Sequence, residues 1–322
     1  MGFQLYQPTA STTSAQRSLG TSSGRHKRAL CIGIDNYPAE RDRLSGCVND
    51  AKQWRNAFVE LGFEVDMLTD SDATRQGILD AMDKLVGESR AGDVLAIQLS
   101  CHGTQLEDFN GDDADQLDEA VVPYDHRISG YLIDDDIADV ADEIPEGVSI
   151  TFFMDLCHSG SATRFAVGPL DVHSREAKVR FLAADQEMQA VHRRTAKRRR
   201  GQSRDPYKDR PEVLFAACAP HQTAKERGGQ GDFTRYALQV LRDGGDQLTN
   251  VEFITKIKEI GRFESQDPSL WSDVSLQQQL LLEQRSGKTK TTEQTAQTLG
   301  RASLAAAIRD IENALQRLRE NL

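Results

Sequence analysis

The sequence lacks the features that mark membrane proteins, disulfide-rich secreted proteins and zinc-stapled proteins. No apolar run approaches the roughly 20 residues that a bilayer-spanning helix needs. The polar segment 1–27 has no apolar signal-peptide core. The five cysteines form no CxxC pair and no zinc-like spacing, which argues against a disulfide framework or structural zinc. We therefore expect a cytoplasmic protein with a disordered N-terminal arm at 1–27 and no membrane partner.

The composition suits a soluble globular protein, but its charge is unevenly distributed. The chain has 322 residues, of which 38% are hydrophobic and 28% charged, enough for a sizeable core in one or two domains. The net charge is −11. Residues 107–146 carry fifteen acidic side chains against one arginine, whereas residues 173–210 carry twelve basic against five acidic ones. The acidic and basic blocks could attract each other, or one could recognise a partner of opposite charge.

Short apolar runs alternate with segments of helical periodicity, which predicts βαβ units and a mostly parallel sheet flanked by helices. The expected strands are Arg28–Tyr37, Phe63–Asp70, Asp93–Gly103, Val148–Leu156, Glu212–Ala219 and Leu276–Glu283. The expected helices are Gly46–Leu61, Thr74–Arg90, Asp134–Ile144, Phe233–Arg242 and Val251–Phe263. Asp134 or Asp135 is expected to cap the third of these helices. VVPYD and GYLI suggest a small hairpin, and 301–322 is an amphipathic helix expected to pack on the core.

Two of the predicted strands end in reactive side chains. One ends in Ser100-Cys101-His102-Gly103, and the other in Asp155-Leu156-Cys157-His158. Ligands of an open parallel sheet bind beyond the carboxyl ends of its strands, so His102 would face Cys157 if these strands are neighbours. An imidazole can activate a thiol for nucleophilic attack, and the amide of Gly103 could bind an oxyanion. Spacing alone leaves open that Cys157 is only a buried small residue, and His158 is disfavoured because adjacent strand residues point to opposite sides.

These motifs carry a resemblance to a known family. SCHGTQ and DLCHSGS resemble the histidine and cysteine motifs of caspase-like cysteine proteases (peptidase C14), closest to metacaspases and bacterial caspase homologues of the orthocaspase type. Further segments in the same order resemble other parts of that family: ALCIGIDNY, LSGCVNDA, LDEAVVPYD, LIDDDI, VLFAACAPHQTAKE and GDFTRYAL.

The resemblance implies a caspase-like (caspase-hemoglobinase) α/β fold with a six-stranded, mostly parallel sheet and a C-terminal helical extension. It divides the chain into an arm, a large-subunit-like region, a basic processing linker, a small-subunit-like region, and a linker with the C-terminal helix: 1–27, 28–172, 173–211, 212–285 and 286–322. It also implies that Cys157 is the nucleophile, that His102 is the general base and acid, and that the amides of Gly103 and Cys157 bind the oxyanion. Cys101 departs from the family, which usually has glycine there, and we expect it to pack in the core.

The same resemblance implies cleavage of proteins and peptides after arginine or lysine. The positions that match the metacaspase S1 pocket are Cys47, Asp50, Ser100 and Asp155. Two carboxylates in a partly dry cleft would bind a guanidinium through charge-assisted hydrogen bonds. A cap or turn role for Asp50 and a structural hydrogen bond for Asp155 remain the alternatives.

The basic linker then becomes a candidate site of autocatalytic cleavage in a zymogen. The candidate P1 residues are Arg193, Arg194, Lys197, Arg198, Arg199, Arg200 and Arg204. A solvated basic loop is the alternative. A nucleic-acid partner is not expected, because no aromatic residues are interleaved for base stacking.

The chemistry requires no cofactor, but the resemblance implies that calcium could activate the protein. The matching carboxylates are Asp118, Asp134 and Asp135, and calcium accepts six to eight oxygen ligands, which carbonyls and water can complete. One further family ligand falls on Arg164, a cation that opposes a divalent metal.

The predicted function is a metacaspase-like, cysteine-type endopeptidase with a monomeric catalytic core, involved by resemblance in bacterial defence or regulated cell death. Its C-terminal helix could also bind a regulator. The alternative is a non-catalytic caspase-like scaffold or partner-binding module.

Overall fold

The computed structural model describes residues 26–108, 117–157, 177–195, 212–218, 222–264 and 266–284, and the side chains of residues 134 and 135 are not described. Several predictions fall outside these residues: the N-terminal arm, His158, Arg164, the cleavage candidates from Lys197 to Arg204, and the C-terminal helix. Among the described helices, none has the length and apolar character needed to cross a membrane.

A six-stranded sheet forms the centre of the protein. Its strands are β1 (Lys27–Gly33), β2 (Glu64–Thr69), β3 (Val94–Ser100), β7 (Ser149–Asp155), β9 (Glu212–Ala216) and β12 (Ser269–Trp271). Their order across the sheet is β12-β9-β7-β3-β1-β2. All neighbours pair in parallel except β12, which runs antiparallel at one edge. The predicted fold class, a mostly parallel six-stranded sheet flanked by helices, is confirmed.

Two helical layers cover the sheet. The helices are α1 (Cys47–Glu60), α2 (Arg75–Gly87), α3 (His126–Ser129), α4 (Asp134–Asp142), α5 (Gln186–Thr195), α6 (Asp232–Arg242), α7 (Asn250–Ile260) and α8 (Val274–Gln277), with single 3-10 turns at Glu40–Asp42, Asp70–Asp72 and Gly245–Gln247. Residues of β1 alternate between the two layers: Cys31 packs with Trp54 of α1, and Ile32 packs with Met82 of α2. This alternation follows from the two-residue period of a strand buried on both faces.

Two small antiparallel sheets extend the carboxyl edge of the main sheet. One contains β4 (Gly103–Glu107), β5 (Leu117–Val121) and β6 (Leu132–Ile133), and the other contains β8 (Ala177–Val179), β10 (Lys225–Arg227) and β11 (Gln230–Gly231). The predicted hairpin between VVPYD and GYLI corresponds to the short β5–β6 pairing, with α3 inserted between the strands. Both small sheets adjoin the ends of β3 and β7, where the reactive side chains lie.

Three local predictions are wrong. Leu276–Glu283 is not the sixth strand, because its buried leucines at 276, 281 and 282 do not follow a two-residue period; the edge strand is the shorter β12. Neither Asp134 nor Asp135 caps α4, since both lie inside its first turn, and Ile133 is the residue before the helix.

The third wrong prediction concerns the strand expected over Asp93–Gly103. The chain turns after Ser100, so this region forms β3 and then β4. As expected, Cys101 is fully buried in the core at this turn.

The basic region is also more structured than a processing linker. Within residues 173–211, residues 177–195 contain β8 and α5. Met188 and Val191 of α5 are buried against the core. A long basic segment was expected to be exposed, but its few apolar residues are spaced to anchor one helix face.

Candidate active site

The two predicted reactive strand ends lie side by side. Strands β3 and β7 pair in parallel, with Leu99 opposite Met154 and Ser100 opposite Asp155. His102 and Cys157 therefore follow neighbouring strands at the same edge of the sheet. Gly103 packs directly against the backbone of Cys157, and a Cβ atom at this position would overlap the Cys157 carbonyl. Glycine thus permits the close approach of the two segments.

His102 is held in one tautomer by a backbone contact. Its Nε2 lies 2.8 Å from the carbonyl oxygen of Asp42. A carbonyl only accepts, so Nε2 carries the proton and Nδ1 keeps a lone pair. The buried Nδ1 has no hydrogen-bond partner among the described residues. Burial lowers the pKa of His102 to about 4, while the Asp42 carbonyl opposes this shift, so the ring is neutral near pH 7 and can accept a proton.

Tyr37 supports the histidine from the side. The two rings are 5.2 Å apart between centroids. The Tyr37 hydroxyl accepts a hydrogen bond from the His102 amide at 3.2 Å and donates one to the Val122 carbonyl at 2.8 Å. These contacts hold the backbone and ring of His102 in a single position.

Cys157 is buried at the end of β7, and its sulfur shares an acceptor with a second cysteine. The Cys157 thiol donates to the carbonyl of Gln222 at 2.6 Å, and the Cys218 thiol lies 3.6 Å from the same oxygen. A hydrogen bond with Cys157, together with burial, raises the pKa of Cys218 well above its usual range. Cys218 is therefore a neutral thiol beside the candidate nucleophile.

A buried cluster of carboxylates surrounds the guanidinium group of Arg180, immediately after β8. Arg180 Nη2 donates to Asp50 at 2.6 Å and to Glu226 at 3.3 Å. Its Nη1 donates to the backbone oxygen of Asp155 at 3.0 Å and lies 3.0 Å from the Asp155 carboxylate. Arg180 is 0% exposed. The predicted pocket acids Asp50 and Asp155 are thus brought together, with Glu226 as a third member.

The electrostatics of this cluster favour a bound cation. Burial raises the pKa of Asp50, and the Arg180 guanidinium opposes that rise. Burial disfavours the charge on Arg180, but Asp155, Asp50 and Glu226 outweigh this effect and hold its pKa well above the usual value. Three carboxylates therefore face one guanidinium, which would leave uncompensated negative charge if the arginine departed.

The other two predicted pocket residues lie at the border of this cluster. Cys47 begins α1, and its sulfur lies 3.9 Å from Glu226 Oε2. Ser100 is fully buried at the end of β3, and its hydroxyl accepts from Gln98 at 2.7 Å. Burial holds the pKa of Cys47 well above its usual value, so its thiol is neutral. Both side chains therefore contribute to the shape of the pocket rather than to its charge.

The predicted calcium ligands lie on a different part of the carboxyl edge. The Asp118 carboxylate is buried and lies 3.0 Å from His192 Nε2. Because Ala120 pairs with Ile133, Asp134 and Asp135 begin α4 close to Asp118 along the backbone. The three positions therefore share one end of the β5–β6 pair, as a carboxylate site requires, although calcium would share Asp118 with His192.

Another group of metal-ligating residues is already occupied by hydrogen bonds. Asp35, Cys47 and Glu226 are the group with metal-like spacing among the described residues. Both oxygens of Asp35 accept amides at the start of α1, at 2.8 and 3.1 Å. Glu226 accepts the amides of Ser45 and Gly46 at 2.8 and 3.1 Å. These donors explain the buried carboxylates without a metal.

Two of the predicted cleavage sites can be located. Arg193 and Arg194 lie on the exposed side of α5, and Arg193 pairs with Glu107 at 2.7 Å. A helical backbone does not match the extended form in which proteases bind peptides, so cleavage there would require α5 to unwind. In contrast, Arg180 was not considered from the sequence, although it lies in the same basic block.

Four contributors to the site were missed from the sequence. Arg180 and Glu226 look like ordinary surface charges, and the backbone role of Asp42 has no sequence signal. Thr234 was quoted only as part of GDFTRYAL, yet its amide and hydroxyl both bind the Asp155 carboxylate. A sequence signal for Glu226 does exist, since it is the buried residue of β10 between two half-buried basic residues.

The arrangement, in which a histidine and a cysteine follow adjacent strands of a mostly parallel sheet, is consistent with the caspase-like fold. The crystal structure of protein GSU0716 from Geobacter sulfurreducens has the same fold, with a TM-score of 0.63 over 81% of this chain and 100% of that one, at 22% identity.

Sequence comparison finds relatives that match part of the chain. Residues 27–165 match the model described as metacaspase, peptidase C14 domain. Metacaspase-1 of Schizosaccharomyces pombe is 35% identical over 46% of this chain and 37% of its own length. Metacaspase-3 of Arabidopsis thaliana is 38% identical over 42% of this chain and 40% of its own length. The chain thus spans less than half the length of these relatives, and the predicted resemblance to caspase-like C14 proteases is confirmed.

Proposed function

We propose that this chain is a cysteine endopeptidase that cleaves peptides and proteins after arginine or lysine, using Cys157 and His102. The observation that carries the proposal is the buried pocket in which Asp50, Asp155 and Glu226 surround a guanidinium group. A planar guanidinium can bridge several carboxylates at once, whereas lysine offers a single point charge. We therefore expect arginine to be preferred over lysine, and acidic P1 residues to be rejected by repulsion.

The proposed reaction is supported by the location of His102 and Cys157 after neighbouring strands. His102 Nδ1 takes the thiol proton of Cys157, and the sulfur attacks the P1 carbonyl carbon. The amide of Gly103 binds the developing oxyanion, with the Cys157 amide as the second expected donor. His102 then gives its proton to the leaving amine, and water releases the acyl group from Cys157.

A peptide assay tests this function. Fluorogenic peptides that differ only at P1, with Arg, Lys or Asp, are compared for the natural chain, Cys157→Ala and Arg180→Gln. The last variant is included because Arg180 occupies the pocket. We expect turnover of the Arg peptide, weaker turnover of the Lys peptide, and none with Cys157→Ala. Turnover that favours Asp would refute the pocket assignment, and no turnover by either the natural chain or Arg180→Gln would favour the non-catalytic scaffold.

We also propose that the enzyme is made as a zymogen and processes itself in the basic region, and that it acts as a monomer. Calcium would bind Asp118, Asp134 and Asp135 as a structural activator, and the backbone pairing of β5 with β6, which precedes α4, supports this proposal. Bound calcium would supply only charge and rigidity. The protonation steps remain with His102 and Cys157.

A further inference from the structure

The chain segment that carries Arg180 lies in the candidate active site as a substrate would. Strand β8 pairs antiparallel with β10, with Val179 opposite Lys225 and Lys178 opposite Glu226. An extended peptide added to the edge of a sheet is a common mode of peptide recognition. The segment leads directly into the carboxylate pocket, where the Arg180 side chain is buried. In contrast, Lys178 and Val179 are exposed, as expected when a single side chain is recognised.

Both the amide and the carbonyl of Arg180 form backbone hydrogen bonds. Its amide donates to the carbonyl of Ala224 at 2.9 Å, and its carbonyl oxygen accepts from the amide of Gly103 at 3.0 Å. Gly103 is the predicted oxyanion donor beside Cys157. The carbonyl of Arg180 therefore binds the amide that a scissile carbonyl would use in the proposed reaction.

The residue that follows Arg180 lies on the leaving-group side. Phe181 packs against the hydrophobic cluster that includes Cys157. Farther along, the Leu182 amide donates to the Gly103 carbonyl at 2.9 Å, and the Leu182 carbonyl accepts from Thr104 Oγ1 at 2.7 Å. The peptide bond between Arg180 and Phe181 is thus flanked on both sides by hydrogen bonds to the start of β4.

We infer that the Arg180–Phe181 bond is the bond at which this chain cleaves itself, and that the segment 177–180 fills the substrate groove of the uncut chain. The inference rests on the proposed function and adds an internal substrate to it. The Cys157 sulfur forms a bond to the Arg180 carbonyl carbon, and its proton passes to His102. The bond to the Phe181 nitrogen breaks as that nitrogen receives the proton. Water then hydrolyses the thioester, which leaves a carboxylate on Arg180 and a free thiol on Cys157.

The contacts beyond the scissile bond make a nicked but associated product. After cleavage, β8 still pairs with β10, and α5 stays anchored through Met188 and Val191. Arg180 would remain in the pocket as a product until it dissociates. We therefore expect cleavage and full activity to be separate events.

The test uses the full-length chain and identifies the new N-terminus. The natural chain, Cys157→Ala, Arg180→Gln and Phe181→Pro are purified and analysed by intact mass and N-terminal sequencing. We expect a fragment that begins at Phe181 in the natural chain only. Arg194→Gln, which removes an exposed arginine of the same basic block, is the matched control and should leave this fragment unchanged. Phe181→Pro blocks the bond without altering the guanidinium, in case Arg180→Gln folds poorly.

The other outcomes separate this inference from the proposed function. A fragment that begins within 194–205, or an intact chain that still hydrolyses the Arg peptide, would overturn Arg180 as the cleavage site and leave the protease function standing. An uncut natural chain that is inactive, beside an active Arg180→Gln variant, would also overturn self-cleavage while supporting the protease. If neither the natural chain nor Arg180→Gln hydrolyses the peptides, the proposed function itself is refuted.

Discussion

Thr234 holds the Asp155 carboxylate with two hydrogen bonds to one oxygen, from its amide at 3.0 Å and from its hydroxyl at 2.8 Å. The same hydroxyl accepts from the indole N–H of Trp54 at 3.2 Å. Both bonds go to Asp155 Oδ2, so the other carboxylate oxygen faces Arg180. Thr234 is therefore a positioning residue for the pocket, acting through Asp155.

The first prediction concerns this positioning role. Thr234→Val keeps the shape of the side chain but removes the hydroxyl bond, which contributes about 1 to 3 kcal/mol when the partner is charged. We expect kcat/KM for the Arg peptide to fall by about ten- to a hundredfold, and the preference for Arg over Lys to narrow. Thr234→Ser keeps the hydroxyl and should retain the natural kcat/KM and the natural preference for Arg. Thr255→Val, on the exposed side of α7, should change neither quantity. An unchanged Arg-to-Lys ratio in Thr234→Val would contradict the role.

The second prediction concerns the glycine that lines the pocket. A Cβ atom at Gly231 would overlap the Asp155 carboxylate and lie 2.6 Å from Arg180 Nη1. We expect Gly231→Ala to lower the affinity for Arg substrates by displacing Asp155, which appears as a higher KM. Gly87→Ala is the control, because a Cβ there meets no atom within 4 Å. Equal KM values for Gly231→Ala and Gly87→Ala would show that the close packing of Gly231 against Asp155 does not affect substrate binding.

The third prediction concerns the stability of the closed chain. Removal of one partner from a buried ion cluster typically costs about 3–5 kcal/mol. In the Cys157→Ala background, which prevents cleavage, Arg180→Met should lower the free energy of unfolding by about that amount in urea titration. The deficit should shrink as the pH falls, because protonation of the carboxylates removes their unpaired charge. Arg193→Met breaks an exposed pair and should cost no more than about 1 kcal/mol.

The fourth prediction follows from the lowered pKa of His102. Because its pKa is about 4 in the folded chain and about 6.5 when unfolded, the unfolded state binds more protons between these values. Stability should therefore rise as the pH increases from about 4 to 6.5. His102→Gln in the Cys157→Ala background should flatten this slope in urea titrations at several pH values. A slope unaffected by the substitution would show that His102 is not a buried neutral imidazole.

The fifth prediction concerns calcium. If the three carboxylates bind it, millimolar calcium should raise the midpoint of thermal unfolding of Cys157→Ala, and a chelator should reverse the rise. Asp135→Asn and Asp118→Asn should each weaken the effect, whereas Asp142→Asn at the end of the same helix α4 should not. The readout is independent of activity, so an unchanged midpoint at all calcium concentrations would rule out the site.

Sequence periodicity was sufficient to predict the central strands of the sheet. Strands β1, β3 and β7 are buried on both faces, so their continuous apolar runs have few alternative structures. The edge was harder to predict, because β12 has only three half-buried residues and no clear pattern. The leucine-rich segment 276–283 was predicted to be a strand instead, but Leu276 lies in α8, and Leu281 and Leu282 follow that helix.

The positions of the candidate catalytic residues, His102 and Cys157, could be predicted from the sequence because both follow strands that sequence patterns identify. The pocket could be predicted only in part. Asp50 and Asp155 were recognised, but Glu226 and Thr234 are brought to them by long-range packing of the later segments. Arg180 was missed for a physical reason: charged residues in basic runs are usually solvated, and burial occurs only where compensating charges meet in three dimensions.

The walls of the pocket around Arg180 come from both sides of it in the chain. Asp50 and Asp155 are synthesised before Arg180, and Glu226 follows it by 46 residues. During translation, the last wall of the pocket therefore emerges when the chain's own arginine is already present. A tethered group acts at an effective concentration of about millimolar, well above that of most individual peptides in solution. In a newly synthesised molecule, Arg180 would therefore occupy the pocket before any other peptide does. This order of synthesis would protect neighbouring proteins from cleavage while the chain folds.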